Sequence, residues 1–421
     1  MPALAILGGT PVRTRPFPKW PEFGPPEEEA LRNALHGPYW GLFGHGEIER
    51  FQQRFAEYQH AKYAVAVANG TVALRIALLA AGIRAGDEVV VPPYTFLATA
   101  SAVVECNATP VFVDVQLDTF NIDPGAVEAA ITPRTRALIP VHLGGLPADM
   151  DALLAIARRH DLVVIEDAAH AHGAELNGRR LGSLGHLGCF SFQSSKNLTC
   201  GEGGAVVTSD AQLFERVRSI HNCGRRPEGP WYAHHTLSGN YRITEFQAAL
   251  LNCQLDRLEE QTQRRERNAL ALTRRLEHIP GICPQVRPAP PIRHAYHLYI
   301  LRYDPVTYGV PRAVFVKVLE AEGIPASAGY PIPLYQQPLF AQRDFGPYSA
   351  VLASRPEFDF ADVRCPNCER LCAAEGVWLY QSTLLGPPED IADIARAFEK
   401  VYEHRQELVE AARKVPIETA T

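Results

Sequence analysis

Between residues 63 and 208, short apolar runs alternate with segments of helical period, and this alternation limits the possible folds more than any other feature of the chain. Residues 63–68, 88–91, 111–115, 137–141, 163–166 and 189–192 read as buried strands. Residues 72–81, 95–106, 124–131 and 150–160 between them read as helices. Such an order predicts a mainly parallel sheet covered by helices on both faces, an α/β fold. Residues 205–208 read as a further strand at the sheet edge, parallel or antiparallel.

The flanks read differently. Residues 1–46 form an irregular lead-in with one helix near 26–35, and 47–59 carry apolar residues at Ile48, Phe51 and Phe55 in helical register. Residues 244–278 give a long helical pattern with an arginine- and glutamine-rich exposed face, stopped at Ile279-Pro280-Gly281. A strand at 297–302, a helix at 312–322, an aromatic turn-rich segment and a terminal helix over 388–414 follow. The 421 residues therefore divide into a large domain, 1–255 with its lead-in, and a smaller α+β domain, 256–421.

Composition narrows the function. Lys+Arg 41 against Asp+Glu 47 gives a net charge of -6, without the basic field that a nucleic-acid or membrane-surface binder needs. The nine cysteines are scattered and odd in number, which suits reduced thiols. No signal segment or uncharged apolar run of spanning length is visible, so the expectation is a soluble cytoplasmic protein.

In folds of this class ligands sit beyond the carboxyl ends of the strands, so the residues after each strand carry the chemistry. Asn69-Gly70-Thr71 opens a helix, where backbone N–H groups, a hydroxyl and the helix dipole make a phosphate cup; an ordinary N-cap is the plainer account of the same residues. No P-loop lysine and no GxGxxG accompany it. Asp167 ends a strand and is followed by Ala168-Ala169-His170-Ala171-His172. A carboxylate there needs a cation, either a metal shared with the histidines or a protonated ring nitrogen of a cofactor. The lysines discriminate. Of six, Lys19, Lys62, Lys317, Lys400 and Lys414 fall in the lead-in or on loops and helix surfaces. Lys196 alone follows a buried strand, in Phe190-Ser191-Phe192-Gln193-Ser194-Ser195-Lys196, ahead of Gly201-Glu202-Gly203-Gly204. A partly desolvated lysine has a lowered pKa and can form a Schiff base. Ser191 and Ser194 are placed to bond a phosphate, and Pro92-Pro93-Tyr94-Thr95-Phe96 supplies Phe96 as a ring to stack on a cofactor. Cup, strand-end aspartate and lysine in this order are the parts of a pyridoxal 5'-phosphate site, with no metal.

These motifs, together with Pro110-Val111-Phe112-Val113-Asp114, Glu166-Asp167-Ala168-Ala169-His170 and Asn240-Tyr241-Arg242, resemble the DegT/StrS-like sugar aminotransferases, pyridoxal phosphate enzymes of fold type I with a seven-stranded type of sheet. The resemblance spans about residues 47 to 250 and continues more weakly through Tyr330-Pro331. It implies that Lys196 carries the cofactor and Asp167 pairs with its ring nitrogen. It further implies that Phe96 stacks on the ring, His170 lies near the ring hydroxyl, and Gly70, Thr71 and Ser191 hold the phosphate. Asn240 would reach the partner's cofactor in a homodimer with shared active sites. Because His170 replaces a frequent glutamine, the chain looks most like the branch of 3-amino-5-hydroxybenzoate synthases and cyclitol aminotransferases. The activity implied is amino transfer from glutamate or glutamine to a keto-sugar or keto-cyclitol. An aromatizing synthase, a sugar dehydratase and a non-catalytic cofactor-binding regulator are the alternatives, and the retained Lys196 favours transamination. Trp40, Tyr94, Arg242 and Tyr330 are candidate substrate contacts. Cys365, Cys368 and Cys372 read as helix packing ahead of a zinc site, and His294 and His297 as strand residues near the cleft.

Overall fold

Seven strands gather the alternating region into one sheet in the computed structural model, which describes residues 3–42, 46–226, 228–230, 232–289, 291–348, 351 and 358–414. In chain order the first nine strands are β1 (Tyr63–Val67), β2 (Glu88–Val91), β3 (Thr109–Phe112), β4 (Thr135–Leu138), β5 (Val163–Asp167), β6 (Glu175–Leu176), β7 (Arg179–Arg180), β8 (Leu187–Ser191) and β9 (Gly204–Thr208). The large sheet runs β1-β9-β8-β5-β4-β2-β3. Its pairs from β8 through β5, β4 and β2 to β3 are parallel, while β9 is antiparallel to both neighbours.

Strand alternation sorts the core. Val65, Val67, Val89 and Val91 face one apolar layer, with Leu74 of α3 (Gly70–Ala80), Val103 of α4 (Ala98–Val104) and Val217 of α7 (Ala211–His221). Ala64, Ala66 and Val90 face the other, with Phe51 and Phe55 of α2 (Glu47–Tyr58), Leu153 of α6 (Met150–His160) and Leu255 of α8 (Glu245–Leu276). Both faces are covered, which is why these strands read as nearly continuous apolar runs.

Beyond the sheet, β10 (Ile282–Pro284), β12 (Leu298–Tyr303), β13 (Ala326–Ser327) and β14 (Gly376–Tyr380) form an antiparallel sheet in the order β10-β12-β14-β13, over a third apolar cluster. The small strand β11 (Ile292–Arg293) pairs back onto β6, which pairs with β7. Helix α8 passes through residue 255 without a break, and Leu4 of the lead-in is fully buried in the third cluster.

Three expectations differ from what forms. The strand at 204–208 is interior, because β1 takes the sheet edge outside it. Helix α7 was not anticipated, although Asp210 caps it by accepting from the N–H groups of Gln212 and Leu213. The terminal helical stretch is two helices, Pro388–Glu403 and Arg405–Lys414, separated at His404. No helix among the described residues is long and apolar enough to cross a membrane.

Candidate active site

The carboxyl ends of β1, β5 and β8 converge with the first turn of α3. Asn69 caps α3, accepting from Val72 N at 2.9 Å. The N–H groups of Gly70 and Thr71 lie in the first turn, where a helix offers no internal acceptor. Gly70 packs directly on Ser191 at the end of β8: a Cβ at Gly70 would lie 2.7 Å from Ser191 Cβ and 3.2 Å from its Oγ. The N-cap account and the phosphate-cup account therefore describe the same turn, Asn69 closing it from inside and Gly70, Thr71 and Ser191 lining its open end. Ser194 is engaged elsewhere, its hydroxyl with Gln193 and its carbonyl with Trp20 Nε1 at 3.0 Å.

Asp167 ends β5, buried, with one donor on each carboxylate oxygen. Thr99 Oγ1 donates to Oδ2 at 2.8 Å and Ala169 N donates to Oδ1 at 3.2 Å. The Thr99 hydroxyl proton is thereby committed, so Thr95, 3.1 Å away, donates to Thr99. Burial raises the Asp167 carboxyl above its ordinary value; the bonds from Thr99 and Ala169 and the charge of Lys196 oppose that rise.

Lys196 stands in the turn between β8 and β9. Phe192 N donating to Gly203 O and Cys200 N donating to Phe192 O close this turn, and Gly201 has a φ of 92°. Burial pulls the Lys196 ammonium down to about 8, against the charge of Asp167, which raises it. No ion pair to Lys196 occurs among the described residues.

His170 Nδ1 accepts from Gly144 N at 3.3 Å, and its ring lies 4.3 Å from that of His297. Burial, and then the charge of Lys196, hold His170 well below its ordinary pKa and bring His172 down to about 3. Among the described residues no group of three or more His, Cys, Asp or Glu side chains could hold a metal ion. Cys365, Cys368 and Cys372 are buried in the apolar cluster beside α4, with Cys368 and Cys372 Sγ 3.9 Å apart.

Other expected residues fall at varied distances from this centre. Phe96 directly follows Thr95 and leaves its ring exposed at the mouth. Tyr94 is only 1% exposed and packs edge-on to Tyr330 at 5.4 Å and to Trp378, so it backs the cleft wall instead of lining it. Burial, and then the Asp167 charge, raise the Tyr330 phenol above its ordinary value. Trp40 lies against Phe246, with its indole N–H on Leu35 O. Arg242 donates to Asn222 Oδ1 at 2.7 Å, and exposed Asn240 accepts from Arg242 N on the strap that leads into α8. Asp114 serves elsewhere, accepting from Asn367 N and Cys368 N, each at 2.9 Å. Thr99, Trp20 and Trp378 escaped the sequence reading; a hydroxyl one turn after the Thr95-Phe96 segment was the only available signal for Thr99.

These groups fit pyridoxal phosphate. Donors without helical acceptors line a cup that a Cβ would fill, and a half-buried lysine, with no ion pair among the described residues, sits within the field of a buried carboxylate. Comparison with known proteins agrees. Residues 23–355 match the DegT/DnrJ/EryC1/StrS aminotransferase family. An L-glutamine:2-deoxy-scyllo-inosose aminotransferase of Streptoalloteichus tenebrarius is 40% identical, covering 96% of this chain and 99% of its own. A 3-amino-5-hydroxybenzoate synthase of Amycolatopsis mediterranei is 38% identical over 89% of this chain and 94% of its own. The crystal structure of a 3-amino-5-hydroxybenzoic acid synthase superposes with a TM-score of 0.84 at 35% identity, covering 94% of this chain and 100% of that one. The chain belongs to the DegT/DnrJ/EryC1/StrS aminotransferase family and is a pyridoxal phosphate-dependent aminotransferase.

Proposed function

We propose that this enzyme moves the amino group of L-glutamine to the ketone of a polyhydroxylated cyclitol. The observation that carries the reading is the near full-length likeness to an L-glutamine:2-deoxy-scyllo-inosose aminotransferase. A keto-cyclitol is neutral, and among the described residues the charged groups at the centre are Asp167 and Lys196.

Bound pyridoxal phosphate supplies an electron sink that makes a proton on the substrate carbon labile. The chain's own residues do the rest. Asp167, whose ionised form the bonds from Thr99 and Ala169 favour against burial, would hold the protonated ring nitrogen. Lys196 Nζ would hold the cofactor in the resting enzyme and would move the proton as general base and acid, its value of about 8 suiting both directions near neutral pH. His170 would lie by the ring hydroxyl, Phe96 would cover the ring, and Gly70, Thr71 and Ser191 would hold the phosphate. Of the expected substrate contacts Trp40, Tyr94, Arg242 and Tyr330, we assign that role to Tyr330.

We also take the enzyme to be a homodimer in which each strap brings Asn240 to the partner's phosphate. Supporting this, Leu237 and Tyr232 are 99% and 76% exposed on that strap. The nine free cysteines suit the reducing cytoplasm. The division near residue 255 separates cofactor-binding and smaller parts, with α8 as the connecting rod.

The test supplies α-15N-labelled L-glutamine with 2-deoxy-scyllo-inosose, a nucleotide-linked keto-sugar, or an aminated-ring precursor able to aromatize. The expected product is a 15N-labelled aminocyclitol. Label entering only the nucleotide sugar, or formation of a 3-amino-5-hydroxybenzoate-type aromatic acid, would replace this reading.

A further inference from the structure

A closed ring of contacts joins the lysine turn to His170 through residues far apart in sequence. Asn197, next to Lys196, is 1% exposed. Its Nδ2 donates to Ala295 O at 2.8 Å, which leaves Oδ1 as the acceptor facing His297 Nδ1 at 3.2 Å. His297 therefore carries its proton on Nδ1. Ala295 N in turn donates to Gly145 O at 3.2 Å, and Gly144 N donates to His170 Nδ1. His170 thus carries its proton on Nε2. The rings of His170 and His297 close the circuit, centroids 4.3 Å apart and tilted by 36°.

The backbone of the circuit has little room to move. Gly144 and Gly145 have φ of 66° and 97°, and a Cβ on Gly145 would meet His170 O at 2.8 Å and Ala295 Cβ at 2.9 Å. His170 is held on one side by Gly144 N–H and on its face by His297, and His297 is held by Asn197. Both imidazoles are buried, and burial first, then the nearby charge of Lys196, keeps them neutral. Two neutral rings can stack where two imidazolium rings would repel.

We infer that His297, oriented by Asn197, is a positioning residue that fixes the plane of His170 beside the cofactor ring. This rests on the reading that His170 faces the ring hydroxyl. The arrangement couples that contact to the turn bearing Lys196, so the two groups are set by one rigid unit. A buried, hydrogen-bonded circuit of this kind specifies one arrangement because each bond fixes which atom of the next member donates and which accepts.

The experiment is a double-mutant cycle on His297→Ala and His170→Ala, read in the resting holoenzyme by the wavelength of the bound cofactor's visible band and by the cofactor Kd of the apo-protein. Thermal unfolding serves as the check on folding. His297→Ala is expected to shift the band and weaken cofactor binding by roughly three- to tenfold, the size of one lost positioning contact. Asn197→Ala is expected to shift the band in the same direction by less. In the His170→Ala background, His297→Ala should add nothing to either readout. If His297→Ala does not fold, His297→Gln, which offers an N–H to Asn197 but no ring, should give the same band shift. An undiminished His297 effect when His170 is already alanine overturns this inference alone. A band left unchanged by His170→Ala overturns the placement of His170 beside the ring, and this inference with it.

Discussion

Lys196 is one of six lysines, and its chemistry follows from where β8 ends. Burial disfavours the ammonium, so its value lies below the ordinary 10.5, at about 8, with the Asp167 charge opposing the shift. Only the neutral amine can condense with an aldehyde. The rate at which apo-protein takes up cofactor, followed by its visible band, is therefore expected to rise with pH and level off near pH 8. Asp167→Asn removes the opposing charge, so its level-off should come at lower pH. A rate still climbing towards pH 10 in the native protein would mean an ordinary, solvated lysine. Asp167 and Lys196 were legible in sequence because each ends or follows a buried strand, where a charged side chain demands an account. Thr99 and Asn197 were not, because their partners lie 68 and 100 residues away and no local pattern records that distance.

Helix α3 shows what an element contributes. Its first turn reaches the sheet only because Gly70 lacks a side chain opposite Ser191. Gly70→Ala inserts a methyl against both Cβ and Oγ of that serine, an overpacking cost on the order of 1–3 kcal/mol. The expected result is cofactor binding weakened roughly tenfold or more, measured by fluorescence titration of the apo-protein, with the fold retained. Unchanged affinity would remove the cup from this turn. Element types were legible wherever an apolar period was long enough. Strand order was not, since the run at 204–208 looks alike at an edge or inside, and only pairing with β1 settles its place. The break at His404 was hidden in the same way, the helical period of 388–414 passing through it.

At the scale of the molecule, the lead-in ties distant parts together. Arg13 pairs with Asp390 and Asp393 at 2.7 and 2.8 Å, while Trp20 reaches the lysine turn. Buried charge pairs of this kind hold geometry more surely than they add stability. A shared-site dimer makes its own prediction. Lys196→Ala and Asn240→Asp should each lose most activity, the second by placing a carboxylate at the partner's phosphate. Co-refolding the two should restore about a quarter of native activity, since half the dimers are mixed and each holds one intact site. No recovery, with mixed dimers demonstrated, would confine Asn240 to its own subunit. The central claim, that this fold exists to present one lysine to pyridoxal phosphate, is tested most directly by reducing the holoenzyme with borohydride and mapping the labelled peptide. The account predicts a single phosphopyridoxyl adduct on Lys196, absent from Lys196→Ala. An adduct on Lys19, Lys62, Lys317, Lys400 or Lys414 instead, or none at all, would contradict it.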